Sequence, residues 1–458
     1  MKAAIKILVV LLVVFGLNCV YYNTFYNAKK KFNQAQKAQQ KNEDGVATQA
    51  EKTLYEESIE KASKVLTFHS DSKYVDDALY LIGKSYYNME EWRKASRKFR
   101  ELMVNFPESE YVNESVYLSG MCEYHIEDYD QAREYFYEVL ATEKSDYKDD
   151  AAFMLGEIPF GSEEFVDAID YYQEMLERYP KSDLAAKTYS RIGECYFKLE
   201  DYSKSKTNYD LARKKGPDTD LKYEILYAIG ECHYKLDEYR KGLEIYRDLK
   251  GDRKYFDKLA QIKIMIAEGL AATDEIDEAL ENYEEITVES PRTMESAEAY
   301  YKIGQIHERR GELEKAKEAY DKGKDENRES EYAELSLAKS SEINKLESYR
   351  SALDDSTAQD LVKTQLLLAE AMLFEFSQPD SAIKEYKRIL LEYPYSQEAA
   401  LAYFALGYIY RNIKADTAMS DSFYIELAGR YPASKYGLRA AEILGILEAF
   451  SDSLNTEE

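Results

Sequence analysis

The sequence predicts an all-α protein, a solenoid of about nine to ten helical hairpins instead of a string of globular domains. Three observations carry that prediction. A glycine recurs at Gly83, Gly120, Gly156, Gly193, Gly230 and Gly304, with Ala267 in the remaining place, in steps of 36 or 37 residues. Between anchors the apolar residues follow the three-and-four spacing of helices, broken by a short polar turn. Five of the eight prolines, Pro107, Pro180, Pro217, Pro291 and Pro394, fall twenty-four residues after an anchor position. Proline cannot continue a helix, so it closes the unit there. A fixed period of this length marks stacked repeats that extend one core.

Composition narrows the function. The 458 residues carry 61 Lys and Arg against 87 Asp and Glu, a net charge of −26. Such a surface repels nucleic-acid phosphates and anionic lipid heads, and favours basic proteins or basic segments as partners. No phosphate-binding glycine loop, HExxH, CxxC or GxSxG is present, so no catalytic residue, cofactor or metal is expected. The four histidines do not cluster. His233 and His307 take the slot that holds Tyr86 and Tyr196 elsewhere, a packing position, while His69 and His125 fall at inter-helix turns.

In chain order, residues 1–18 begin with Lys2 and Lys6 and continue in an unbroken apolar run from Ile7 to Phe15. That run is short for a bilayer span and suits the hydrophobic region of a signal peptide. Cys19 follows immediately, and the placement resembles the lipobox of bacterial lipoproteins, which implies acylation of Cys19 and a membrane anchor. Gly16 and Asn18 stand where that pattern usually has Leu and a small residue. An ordinary signal peptide and an uncleaved anchor stay open as alternatives.

Residues 19–69 form an aromatic N-terminal segment and a degenerate repeat or cap. Tyr21, Tyr22, Phe25 and Tyr26 crowd its start, and Ala28 and Phe32 have the spacing of Ala95 and Phe99, as in a lone second helix. Gln34 to Val46 is expected as a loop and Ala47 to Phe68 as a helix. Seven regular repeats follow over 70–324, a break with a degenerate repeat over 325–360, further repeats over 361–434, and a capping helix with a polar tail over 435–458. Register is expected to resume near Glu370 with Ala382 and Tyr386, and near Gly407 with Phe423.

Within the regular repeats the slot twelve after the anchor stays small (Ala95, Ala132, Ala168, Ser205, Gly242, Ala279, Ala316). The slot sixteen after it is always aromatic (Phe99, Phe136, Tyr172, Tyr209, Tyr246, Tyr283, Tyr320). Small residues on both helices let a pair approach closely, and the rings are expected to fill the space between neighbouring pairs. Cys122, Cys195 and Cys232 each lie two residues after an anchor and read as buried free thiols.

These spacings of Gly, Tyr, small residue, aromatic and Pro resemble the tetratricopeptide repeat (TPR) family over about 70–449. The resemblance implies a right-handed superhelix. Phe106-Pro107-Glu108-Ser109, Tyr179-Pro180-Lys181-Ser182, Tyr393-Pro394-Tyr395-Ser396 and Tyr431-Pro432-Ala433-Ser434 share an aromatic-Pro-x-Ser signature. It is similar to the branch found in bacterial envelope TPR proteins, which includes BamD-type lipoproteins of outer-membrane β-barrel assembly and the periplasmic Tol–Pal-associated protein. The branch implies a non-enzymatic scaffold, held at the outer membrane and facing the periplasm, whose partners are other envelope proteins. β-Barrel assembly is the leading role. A division or peptidoglycan adaptor, a secretion or gliding lipoprotein and a chaperone-like binder of exported chains stand beside it.

In TPR arrays the first helix of each pair lines the binding groove. Residues three before, one after and four after the anchor point the same way. The outer two slots hold Tyr80 and Tyr87, Tyr117 and Tyr124, Phe153 and Phe160, Tyr227 and Tyr234, continued by Phe197 and Tyr301. The middle slot holds Glu157, Glu194, Glu231 and Glu268 in four consecutive repeats, and Lys84 in the first. The expectation is an aromatic floor with an acidic ladder, suited to a segment carrying Lys or Arg.

Overall fold

A computed structural model of the chain describes residues 24–42, 45–354 and 361–446. Among them are twenty-two α-helices in repeat-like pairs and no strand, the all-α solenoid class predicted above. Cys19, Tyr21, Tyr22, the leader, Asp355 to Thr357 and the polar tail lie outside the described residues.

The chain divides into two units, Met1–Ile245 and Tyr246–Glu458. In the first, α1 over 24–39 precedes α2 (Gln49–Phe68), α3 (Val75–Asn88), α4 (Trp92–Asn105), α5 (Val112–His125) and α6 (Tyr129–Ala141). It continues with α7 (Lys148–Gly161), α8 (Phe165–Arg178), α9 (Ala185–Lys198), α10 (Tyr202–Lys214) and α11 (Thr219–Lys235). Helix α12 (Tyr239–Gly251) leads out of it. The second unit opens with a 3-10 helix (Arg253–Lys258), then α13 (Leu259–Ala272), α14 (Ile276–Glu289), α15 (Met294–Arg309), α16 (Leu313–Glu326) and α17 (Glu331–Asp354). It ends with α18 (Leu361–Phe374), α19 (Pro379–Glu392), α20 (Gln397–Asn412), α21 (Thr417–Arg430) and α22 (Lys435–Ile443).

The pairing rule is a ring laid on a glycine. A Cβ added to Gly83 would lie 2.6 Å from the Phe99 ring, one on Gly120 2.7 Å from Phe136, and one on Gly156 2.5 Å from Tyr172. Gly304 with Tyr320 and Gly407 with Tyr424 repeat the arrangement. The rings thus seat on the anchor of their own pair and also meet the next one, as expected from sequence: Phe99 clusters with Leu118 and Cys122, and Tyr209 with Ile225, Ile229 and Cys232. Tyr424, not Phe423, takes the last seat, while Phe423 stacks on Tyr410 at 5.5 Å. One extra residue in the preceding turn causes the offset. The α18 anchor is likewise Ala369, fully buried and seventeen residues before the buried Tyr386.

Each regular pair reverses in three residues. In the first unit Glu91 N–H reaches back to Tyr86 O at 2.9 Å and Asp201 N–H to Tyr196 O at 2.9 Å, the six-to-one bond that closes a helix end through a left-handed residue. That residue is Glu90, Glu127, Glu163, Glu200 or Asp237, with φ between 58° and 66°. In the second unit Asp274 (φ 69°) and Gly311 (φ 74°) hold the same place, and Ser377 and Ala415 hold it in the two four-residue turns.

Helix α1 corrects two expectations. It runs through Gln34 to residue 39, because Ala35 is fully buried and Gln39 accepts the Tyr55 hydroxyl at 2.6 Å. It is also a first helix, not a second one. The Ser58 hydroxyl donates to the Ala28 carbonyl at 2.9 Å, as Ser205 does to the anchor Gly193 at 2.8 Å and Ser420 to Gly407 at 2.8 Å. Ala28 is thus the anchor of a pair formed by α1 and α2. In the break region, α17 is one helix of 24 residues whose Ile343 and Leu346 enter a core with Leu313 and Tyr320 of α16 and Leu368 of α18. The aromatic-Pro-x-Ser signature ends in a helix cap in its last two copies. Ser396 and Ser434 cap α20 and α22 through Ala399 N–H and Gly437 N–H at 3.1 and 2.9 Å.

The ring seat makes a direct prediction. Gly120→Val forces side-chain atoms into the Phe136 ring and should cost about 1–3 kcal/mol, as overpacking does. Urea unfolding should show the lowered midpoint, and adding Phe136→Leu should recover part of it. An unchanged midpoint in Gly120→Val would refute the seat.

Candidate partner-binding face

In the first unit the outward residues of α3, α5, α7, α9 and α11 form one face, and its rings are mostly engaged with each other. Tyr80 stacks on Tyr111 at 4.2 Å between centroids with 13° between planes. Tyr117 stacks on Tyr147 at 5.2 Å and 11°. Tyr111 and Tyr147 are the residues just ahead of α5 and α7, so each stack ties one repeat to the next. Rings four after the anchor meet the turn-side ring of their own repeat: Tyr87 with Trp92 (5.1 Å), Tyr124 with Tyr129 (5.7 Å), Phe160 with Phe165 (6.0 Å), Phe197 with Tyr202 (5.2 Å) and Tyr234 with Tyr239 (5.5 Å). Tyr227 lies 5.7 Å from Tyr223. In the second unit Tyr301 lies 5.8 Å from Tyr320 and 5.7 Å from Tyr332.

The aromatic floor is therefore a packed one, and its rings are half-buried. Phe153 departs from it altogether. It is only 4% exposed and packs 5.5 Å from the Tyr172 ring, because α7 is apolar on nearly every side. It belongs to the core.

The acidic ladder proves to be interleaved with cations that sequence reasoning passed over. Arg191 reaches Glu157 with Nε at 3.0 Å and Glu194 with Nη1 at 2.8 Å, and its guanidinium lies 4.7 Å over the Phe160 ring. Glu157 also accepts the Tyr172 hydroxyl. Burial and this carboxylate together push the Tyr172 phenol far up. One cation thus serves two carboxylates, leaving a net negative charge between α7 and α9. Glu231, on α11, is partly exposed. In the second unit Lys302 pairs with Glu268 at 2.5 Å. The signal was present: Arg191 and Lys302 each stand two residues before an anchor, thirty-four after the Glu they meet.

At the start of the face, Glu114 collects the Lys84 ammonium at 2.8 Å together with the Tyr80 and Tyr147 hydroxyls. Burial works against its charge, but these three donors outweigh burial and hold its carboxyl below the usual value of 4.5. His233 and His307 behave as packing residues with one polar bond each, Nδ1 lying 2.6 Å from Glu238 and 2.8 Å from Glu312. Among the described residues no group of three or more His, Cys, Asp or Glu is placed to hold a metal ion. No described helix is long and apolar enough to cross a membrane.

Comparison with known proteins places this geometry in context. Residues 34–215 match the family described as outer membrane lipoprotein, and residues 297–329 match a tetratricopeptide repeat. Similar solved structures include a tetratricopeptide repeat protein from Parabacteroides merdae (13% identity, 58% of this chain and 98% of that one, TM-score 0.40). The C-terminal part of a TPR repeat-containing protein from Cytophaga hutchinsonii is another (15% identity, 58% and 95%, TM-score 0.44). A third is YrrB, a TPR protein with an unusual peptide-binding site (21% identity, 45% and 99%, TM-score 0.34). No curated protein matches the chain.

The Glu114 cluster gives a pH test. A carboxyl whose folded value is depressed stabilises the fold fully above its unfolded value, and that stabilisation is lost as pH falls through the folded value. Glu114→Gln should therefore lower stability by about 1–2 kcal/mol at neutral pH, the scale of a charged hydrogen bond. The gap from wild type should narrow only below the ordinary carboxylate value of 4.5. Denaturant midpoints measured from neutral pH down to acid would show it, and a gap that stays constant would refute it.

Proposed function

We propose that this chain, a tetratricopeptide-repeat protein resembling the BamD-type outer membrane lipoproteins, is a lipid-anchored scaffold of the bacterial envelope. Its work is protein–protein interaction in BamD-like assembly of outer-membrane β-barrels, and no step of it is catalytic. The observation that carries this reading is the match of residues 34–215 to the outer membrane lipoprotein family, a span that includes the ring stacks and the Glu114 and Arg191 clusters. Cys19 is the acylated residue in this reading, and the face points into the periplasm.

The face made by α3, α5, α7, α9 and α11 serves as the docking surface for exported chains or other assembly components. Tyr80, Tyr87, Tyr117, Tyr124, Phe160, Phe197, Tyr227 and Tyr234 offer half-buried rings held in place by their aromatic neighbours. That fixity lowers the entropy lost on binding. Glu194 and Glu231 supply charge, so a segment carrying Lys or Arg is favoured over an acidic one. In the second unit Tyr301 and Glu268 offer the same chemistry.

Reversing two charges tests the face. The double variant Glu194→Lys, Glu231→Lys should weaken capture of partners crosslinked in cells from Tyr124 or Tyr234 by roughly tenfold or more, the scale of lost complementary charge. Circular dichroism should remain that of the wild type. Undiminished capture would remove the face from the proposal. Depletion should deplete many outer-membrane barrels. Chaining or blebbing with normal barrel levels would point instead to a division adaptor.

A further inference from the structure

The charge of this protein is distributed unevenly in a way that the overall value of −26 conceals. Residues 24–42 contain five lysines and neither Asp nor Glu. The structure winds most of them into α1 and sorts them by face. Ala28, Phe32 and Ala35 are buried against the first unit, and Lys31 on the flank is drawn to Glu57 at 2.7 Å. The other side of the helix carries Lys30 and Lys37, with Lys41 in the turn just past its end and Lys29 on the flank within electrostatic reach of Asp77, all four exposed, and Tyr26 54% exposed at its head. Positions 26, 30, 33 and 37 follow one another at three and four residues along α1, which places them in a single stripe that Lys41 continues in the turn beyond. None of these four lysines makes an ion pair with a described residue.

We infer that the exposed face of α1 is a membrane-seating surface, which holds the first repeat against anionic lipid headgroups. This rests on the reading that Cys19 brings this end of the chain to a bilayer. Cys19 precedes Tyr26 by seven residues, so an anchored chain has little reach before α1 begins. A single stripe of ammonium groups complements a sheet of phosphates, each lysine contributing through charge attraction that fades within a Debye length of about 8–10 Å. At that range most of the acidic remainder of the protein is screened, Asp77 beside Lys29 being the near exception, so the lipid repulsion expected from the net charge is relieved on this one face. Tyr26 suits the interface, its ring against acyl chains and its hydroxyl among headgroups. A lipobox-type cysteine carries more than one acyl chain and already holds a protein at the bilayer, so what the basic stripe adds is orientation, seating the first repeat against the headgroups.

The test uses the chain from residue 19 onward carrying Cys19→Ser, so that no acyl group contributes. It should sediment with vesicles containing about one-third phosphatidylglycerol at roughly 0.1 M salt, bind pure phosphatidylcholine vesicles far less, and release at high salt. Binding should fall roughly fivefold for each lysine replaced, so Lys30→Gln with Lys37→Gln loses about twenty-five-fold. Equal binding to neutral vesicles, no binding to anionic ones, or no effect of the lysine variants overturns the proposal. So does capture of an acidic polyglutamate peptide by an array that ignores lipid, since the stripe would then be a protein site. Labelling with a fatty-acid analogue, wild type against Cys19→Ser, reads the anchor separately. Label without vesicle binding removes the helix proposal alone, and vesicle binding without label removes the anchor alone.

Discussion

Everything in this protein depends on how closely two helices of a pair can approach, and one contact sets that distance. A ring sixteen or seventeen residues downstream lies flat on a position that has no side chain to push it away. At Gly83, Gly120 and Gly156 the gap would be closed by a single methyl group. The ring is buried completely in most pairs; Phe99, Phe136 and Tyr172 all have no exposed surface. Because the contact is made inside each pair, hairpins that carry it share one internal geometry. A stack of such units inherits a repeatable geometry, which is the condition for a regular solenoid. Ala267 shows the tolerance of the design, since its methyl group is accommodated next to the buried Tyr283.

Neighbouring pairs share a continuous apolar core and are tied as well by a second kind of contact, one that lies on the candidate face itself. Tyr80 on Tyr111, Tyr117 on Tyr147 and Glu157 with Arg191 all cross from one repeat to the next. The residues available to a partner are thus among those that join the repeats. A ligand that strengthens or competes with these contacts acts on the spacing of repeats, not only on one side chain. The half-buried state of these rings follows from this double duty.

Much of this was legible in the sequence. The period and its aromatic slot recur in all seven regular repeats and the closing proline at five positions, so chance agreement averages away and the pattern stands clear, although the slot alone does not say that its ring seats on the anchor. The first pair was misread because Ala28 and Phe32 are four residues apart, a spacing shared by Ala95 with Phe99 and by Gly83 with Tyr87. Only Ser58, thirty residues on, breaks the tie, through a bond to the Ala28 carbonyl that no local pattern reveals. The left-handed turn residues were hidden for another reason. Glu and Asp occupy a conformation that glycine usually marks, and Gly311 alone carries the visible sign. Arg191 was overlooked because, among 61 cations and 87 carboxylates, a pair separated by thirty-four residues looks like any other.

Cys122, Cys195 and Cys232 sit in three different repeats, each with its thiol sealed in the seam behind an anchor. Burial pushes the Cys232 thiol up to about 11 and that of Cys195 to about 12. Exchange with a disulfide needs the thiolate, so at neutral pH the folded array is inert to an oxidising compartment despite carrying unpaired cysteines. Protection ends when a seam opens. Each thiol is therefore a built-in reporter for the breathing of its own repeat, and the rates at which the three are alkylated in the native state map where the first unit is softest.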